Sequence, residues 1–218
     1  MIIRAVCLML TAVATVGWMP VAQAQLASGY SGASSEPIEG VAADYWILLR
    51  GMGTCAAKTK SSDAAAFMQT LPASAEEGRA FKKLFGGKSN ICLGNFVRAT
   101  FIRAHVRGAV AEGLYERFRA PQLGEIPVSQ VAAESSATPV KTLHDFARCY
   151  VGSHRVDADR LLRDTRLGTK GEDELVGTLA ETFGGCLPAN REVKLKAFEV
   201  RMALAEALYH SAAPAGKD

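Results

Sequence analysis

The sequence has little of what catalysis or nucleic-acid binding usually needs. It contains only four histidines, and its 25 Lys and Arg residues are nearly balanced by 22 Asp and Glu residues, for a formal net charge of +3. Nucleic-acid binding needs a concentrated basic face, and here the signs are interspersed. No nucleophile elbow and no trusted zinc-ligand spacing occurs. We therefore expect no nucleic-acid partner, no metal and no cofactor.

The sequence also lacks a strand pattern. Its nearest approach is the segment 126–131, which a proline interrupts, so that it would form an edge strand at best. Apolar residues instead recur at spacings of three and four, as in Val41, Tyr45, Leu48 and Met52. This spacing is typical of amphipathic helices. We predict an all-α fold.

Long apolar runs are absent after the first 24 residues, and those residues have the pattern of a secretory signal peptide. Arg4 precedes an apolar run over 5–16, and residues 22–24 form a small-x-small cleavage site. The run is shorter than the ~20 residues that a bilayer span needs. Cleavage would leave 194 residues with four cysteines, a net charge of +2 and no transmembrane segment. We predict a periplasmic or secreted protein, and the lack of any Asn-x-Ser/Thr site favours a bacterial source.

A set of anchor residues occurs twice, each displaced by 94 residues. The first set is Cys55, Cys92 and Leu114-Tyr115, and the second is Cys149, Cys186 and Leu208-Tyr209. Residues 106–115 also match residues 200–209 at seven of ten positions. We infer a tandem duplication, which favours bridges within each copy over bridges between them. Each bridge closes a loop that should stabilise the fold by roughly 3 to 4 kcal/mol.

Each copy has signals for four helices. In the first copy they are a helix that carries Cys55 near its end, a short helix over 61–71, a helix opened by a Ser74–Glu77 capping box, and a closing helix over 96–118. In the second copy they are a helix opened by Thr138-Pro139, a short helix over 157–162, a helix opened by a Thr169–Glu172 capping box, and a closing helix over 191–209.

The predicted organisation is therefore two disulfide-bridged four-helix modules joined by a linker. The segments are a signal peptide over 1–24, a flexible leader over 25–39, module 1 over 40–118, a linker over 119–137, module 2 over 138–212 and a tail over 213–218. Each module is small enough that it is not expected to bury a full core alone. We expect the two modules to pack face to face with a groove or flat seam between them.

Three polar side chains recur in both closing helices. They are Arg107, Glu112 and Tyr115 in the first copy and Arg201, Glu206 and Tyr209 in the second. The Arg and the Tyr are eight residues apart and so lie on nearly one helix face. One interpretation is that the set ties each closing helix to its own module. The other is that both sets line the seam as a binding surface, because Tyr and Arg are enriched in binding hot spots.

Two functions are compatible with these patterns. We expect a non-catalytic binding or interaction module in the cell envelope, whose partner is another envelope protein or a second copy of the chain. The alternative is a cell-envelope glycan hydrolase in which Glu112 and Glu206 act as general acid and base. Two carboxylates about 5 to 9 Å apart in a deep pocket would favour the hydrolase. A shallow, aromatic-rich seam would favour binding, and no catalytic residue is predicted.

Overall fold

A computed structural model describes residues 43–87, 90–93, 101–119, 140–188 and 193–212. These residues form seven α-helices and two 3-10 helices and contain no β-strand, which confirms the predicted all-α class. Within them, no helix combines the length and apolar character needed to cross a bilayer. The predicted signal peptide, leader and tail, and all of the linker except Arg119, lie outside the described residues.

The α-helices fall into a first and a second group along the chain. The first group is α1 Ala43–Thr59, α2 Ser61–Met68, α3 Ala75–Phe85 and α4 Arg103–Arg119, with a 3-10 turn at Ile91–Leu93. The second group is α5 Leu143–Asp164, α6 Lys170–Leu179 and α7 Ala197–Ala212, with a 3-10 helix at Ala180–Cys186.

The two groups differ in helix number because of one backbone kink. Lys60 separates α1 from α2 with φ −134° and ψ 43°. His154 has nearly the same values, φ −132° and ψ 43°, so α5 as numbered here contains two helices that meet at this kink. The predicted short helix over 157–162 lies within the second of these helices, which follows His154.

The helix starts follow local hydrogen-bonding chemistry, and only some were predicted. Ser74 caps α3 as expected, since its hydroxyl accepts a hydrogen bond from the Glu77 backbone N–H at 3.0 Å. Thr169 does not cap α6, because its hydroxyl donates to the Arg166 carbonyl instead. A capping box of Thr142 and Asp145 opens α5, four residues after the predicted Thr138, which lies outside the described residues. The closing helices also begin later than predicted, at Arg103 and Ala197.

Two disulfides fasten helix ends to the turns that precede the closing helices. Cys55 pairs with Cys92 and Cys149 with Cys186, with Cα–Cα distances of 5.4 and 5.7 Å, and both bridges span 37 residues. The buried partners are Cys92 and Cys186. Each bridge ties the first helix of its group to the 3-10 segment that precedes the closing helix.

The closing helices α4 and α7 pack against each other at the centre of the fold. α1 covers another side of α4, and α5 covers α7 in the same way. Glycines allow the closest approaches: a Cβ at Gly53 would lie 2.1 Å from the Ala109 carbonyl oxygen, and one at Gly108 would lie 2.4 Å from the Met202 Cβ. The seam between the two groups is therefore closed at Gly108 and not an open groove there.

Candidate functional site

The six residues singled out in the sequence lie together inside the interface of α4 and α7. Their exposed fractions are 0 to 5%, with Arg201 the most and Glu206 the least buried. A charged group is stable at such depth only when it is paired and hydrogen-bonded. The partners of these side chains therefore decide what the site does.

Each arginine pairs with the glutamate of the other closing helix. Arg107 donates through Nε and Nη2 to Glu206 Oε1, at 3.0 and 2.7 Å. Arg201 donates through the same two nitrogens to the two oxygens of Glu112, at 3.0 and 2.7 Å. These contacts are charge-assisted, and the Arg201 contact has bidentate fork geometry. The ion pairs thus run across the interface and not within one group of helices.

The same arginines also hold the C-terminal ends of preceding helical segments. Arg107 donates to the carbonyl oxygens of Phe67 and Met68 at the end of α2, at 3.2 and 3.0 Å. Arg201 donates to those of Leu161 and Leu162 near the end of α5, at 3.0 and 3.1 Å. The last carbonyls of a helix have no partner within it, so the guanidinium groups satisfy them. These contacts agree with the interpretation that each arginine ties its closing helix to its own group of helices.

A second pair of buried carboxylates, Glu77 and Glu172, completes two ionic clusters. One contains Arg107, Glu206 and Glu77, and the other contains Arg201, Glu112 and Glu172. Glu77 Oε1 lies 3.4 Å from Arg107 Nη1, and Glu172 Oε1 lies 3.8 Å from Arg201 Nε. The other carboxylate oxygens accept backbone N–H groups, from Ala73 at 3.0 Å and Gly168 at 2.7 Å. Sequence reasoning placed Glu77 and Glu172 only as capping-box residues. The available signal was that both are glutamates at the third position of corresponding helices.

The pKa values of Glu206 and Glu172 are shifted in opposite directions. Burial acts to raise the pKa of Glu206, but hydrogen bonds from His210 and Arg107 overcome it and lower this pKa to about 2. Burial raises the pKa of Glu172 to about 7, against the opposing effects of the Gly168 N–H and Arg201. Glu172 Oε1 has no hydrogen-bond partner among the described residues. At neutral pH Glu206 is ionised, and Glu172 is divided between its two protonation states.

The two clusters differ at their outer edges. Beside Glu112 lies Arg50, whose Nη2 is 3.2 Å from Glu116 Oε1 and whose Nε is 3.9 Å from Glu112 Oε1. Beside Glu206 lie two imidazoles, with His144 Nδ1 and His210 Nε2 each 3.7 Å from one of its oxygens. Arg50, a permanent cation, thus borders the cluster of Arg201 and Glu112. The imidazoles of His144 and His210 border the cluster of Arg107 and Glu206.

The two tyrosines are buried but have different neighbours. The Tyr115 hydroxyl donates to Asp159 Oδ1 at 2.9 Å, and Arg119 contacts the same carboxylate at 3.2 Å. Burial, together with Asp159, raises the pKa of Tyr115 to about 12. The Tyr209 ring packs against Phe118 with centroids 5.9 Å apart. Tyr115 therefore links α4 to α5, while Tyr209 links α7 to the end of α4.

The structure thus brings all six predicted residues into one buried layer. Binding of a partner through them stays a prediction, and it now requires α4 and α7 to separate. No set of three His, Cys, Asp or Glu side chains in the described segments is placed to hold a metal ion. No protein-family model, curated protein or solved structure matches this chain.

Proposed function

We propose that this chain is an exported, non-catalytic helical repeat protein that acts as a binding or interaction module in the cell envelope. The observation that carries the proposal is the reciprocal pairing of Arg107 with Glu206 and Arg201 with Glu112. Ionisable residues shared by two copies would be the natural machinery of a duplicated catalyst. Here they are used to fix the helices relative to each other, which suits a rigid scaffold that presents its outer surface.

We further propose that the chain arose by tandem duplication of a disulfide-bridged four-helix module. Three correspondences support this. Both bridges span 37 residues, the kinks at Lys60 and His154 have the same backbone angles, and the carbonyls bound by Arg107 and Arg201 are also displaced by 94 residues. On this proposal α5 corresponds to α1 and α2 joined.

A periplasmic or secreted location belongs to the same proposal. Disulfides persist in oxidising compartments and are rare in the cytosol. The two bridges are consistent with export through the predicted signal peptide over 1–24. The expected partner is another envelope protein or a second copy of the chain.

One observation favours the alternative, an envelope glycan hydrolase. Glu172 faces Arg201 together with Glu112, and burial raises the pKa of Glu172 to about 7, which is near the value that suits a general acid at neutral pH. Their exposed fractions are only 1% and 3%, however. A glycan chain could not reach them in this conformation, so we prefer the binding function.

A capture experiment paired with a hydrolysis assay distinguishes the two functions. The oxidised protein is used as bait on envelope extract, with reduced and alkylated protein as the control, and each captured protein is then purified and titrated against the bait. We expect saturable binding of an envelope protein, or of a second copy, by the oxidised form only. Release of soluble fragments from purified cell-wall glycan, abolished by Glu172→Gln, would establish the hydrolase and reject the binding proposal.

A further inference from the structure

A groove of about 610 Å³ lies between α3 and the start of α4. Its apolar surface comes mainly from Phe81, Phe101 and Ile102. This volume is within the range of small-molecule sites, roughly 300 to 1,000 Å³. The groove is therefore large enough for an apolar group of moderate size.

Three cations border the groove, and its lining contains no acidic residue. Arg79 and Lys82 lie three residues apart on α3, which places them on one helix face, and Arg103 approaches from α4. Glu76 pairs with Arg79 and Glu77 pairs with Arg103, and neither glutamate lines the groove. All three cationic side chains are exposed, so they remain open to a ligand.

None of the three cations at the groove has a cationic counterpart in the second half of the chain. Glu77 accepts a hydrogen bond from the Ala73 N–H, and Glu172 accepts the equivalent bond from the Gly168 N–H, so α3 corresponds to α6 at a displacement of 95 residues. The closing helix α4 corresponds to α7 at a displacement of 94 residues. The counterparts of the three cations are Glu174, Gly177 and Ala197. The second half folds with an anion, a glycine and an alanine at these positions, so the fold itself does not require the cations.

We propose that this groove binds an anionic amphiphile, with a carboxylate or phosphate held by Arg79, Lys82 and Arg103 and an apolar chain on Phe81, Phe101 and Ile102. Guanidinium and ammonium groups bind either head group through charge-assisted hydrogen bonds. A volume of about 610 Å³ has room for one apolar chain, whereas a protein partner would require a much larger area. This site is separate from the interface of α4 and α7, and it does not depend on a protein partner.

Calorimetric titration of the oxidised protein tests the proposal. Dodecanoate and dodecyl phosphate are added below their critical micelle concentrations, and dodecyl maltoside and dodecyltrimethylammonium serve as neutral and cationic comparisons. We expect saturable binding of one or both anions, at least tenfold weaker binding of the other two, and weakening with added salt. The stronger of the two anions identifies the head group.

Charge-reversal variants assign the site. Arg79→Glu with Lys82→Glu is expected to weaken anion binding at least tenfold, whereas Lys170→Glu with Lys194→Glu makes the same change in net charge outside the groove and should leave it unchanged. Arg79→Gln with Lys82→Gln replaces the first variant if circular dichroism shows that it is unfolded. Failure of both anions to bind, equal binding of the neutral amphiphile, or an equal effect of both charge reversals overturns the proposal. Binding of an acidic peptide without binding of either anion also overturns it.

Discussion

At the scale of single residues, the contact between Gly108 and Met202 explains why the halves differ in sequence. These residues correspond to each other at a displacement of 94, and they also touch, since a Cβ on Gly108 would lie 2.4 Å from the Met202 Cβ. Two methionines would overlap at this place, and two glycines would leave a void. A glycine facing a methionine fills the space, so unlike residues at this pair follow from packing.

Gly108→Ala is therefore expected to destabilise the protein by about 1 to 3 kcal/mol, because the added methyl group overpacks the interface. Urea unfolding followed by circular dichroism measures the change. Gly51→Ala is the matched control, since this helical glycine has no atom within 4 Å of the new methyl group. It should stabilise α1 by about 0.5 to 1 kcal/mol. Equal effects of the two substitutions would contradict the close approach of α4 and α7.

Glu172 is expected to make stability depend on pH. Its pKa is about 7 in the folded protein and 4.5 as the reference value, so the folded state binds the proton more tightly. Stability from this group is therefore present below pH 4.5 and is lost as the pH rises to about 7. Glu172→Gln should be more stable than the parent at pH 8 and nearly equal to it at pH 4, as urea midpoints across this range would measure.

Glu206→Gln is the control with the opposite sign. The pKa of Glu206 is lowered to about 2, so its stabilisation is present above pH 4.5 and is lost as the pH falls towards 2. This substitution should cost on the order of 3 kcal/mol at pH 7, because Arg107 loses its anionic partner, and the difference should shrink at low pH. A parallel pH profile for the two variants would show that the two carboxylates do not differ in proton affinity.

At the scale of helices, sequence periodicity predicted where helices occur better than where they begin. The predicted start was Thr138-Pro139, whereas a capping box of Thr142 and Asp145 opens α5. The break before the predicted short helix over 157–162 is present as the kink at His154, although neither proline nor glycine occurs at the kink itself. Helix starts depend on single hydrogen bonds, whereas helix positions depend on many apolar residues.

The turn before α6 provides a test at this scale. Gly168 has φ +73°, and a Cβ there would lie 2.3 Å from Trp46 Cδ1. Its counterpart Ala73 has φ +62°, so both turns contain a left-handed residue, and the turn at Gly168 also packs against Trp46. Gly168→Ala should lower the unfolding free energy by about 2 kcal/mol or more, from backbone strain and the clash with Trp46.

Ala73→Gly is the comparison for this turn. It relieves the left-handed strain without affecting a tryptophan, and it should leave stability unchanged or raise it by up to about 1 kcal/mol. Chemical unfolding of both variants, with Trp46 fluorescence as a second signal, separates the two effects. A Gly168→Ala variant as stable as Ala73→Gly would mean that Trp46 does not pack on this turn.

At the scale of the whole molecule, the candidate site was predictable in its members but not in its connections. The displacement of 94 residues identified Arg107, Glu112 and their counterparts. It could not indicate that each arginine bonds the glutamate of the other closing helix, because spacing within one helix gives no information about its neighbour. The displacement also gave no sign that Glu77 approaches Arg107 and that Glu172 approaches Arg201.

These crossed ion pairs predict that neither half folds alone. Residues 25–119 would leave Arg107 without Glu206, and residues 138–218 would leave Arg201 without Glu112, in addition to the exposed apolar faces of α4 and α7. Each purified half should show reduced helicity, and mixing oxidised halves should restore the helical signal as a one-to-one complex. Circular dichroism and size-exclusion chromatography measure both. Two halves that are each fully helical and monomeric would contradict a shared core.

The unlike pair at Gly108 and Met202 also has a genetic consequence. Repeats within one gene can be homogenised by conversion, in which one copy overwrites the other. Conversion in either direction would here put two glycines or two methionines in contact, and both outcomes would be removed by selection for stability. If the chain did arise by duplication, this position acts as a barrier that keeps the two copies diverging in the same gene.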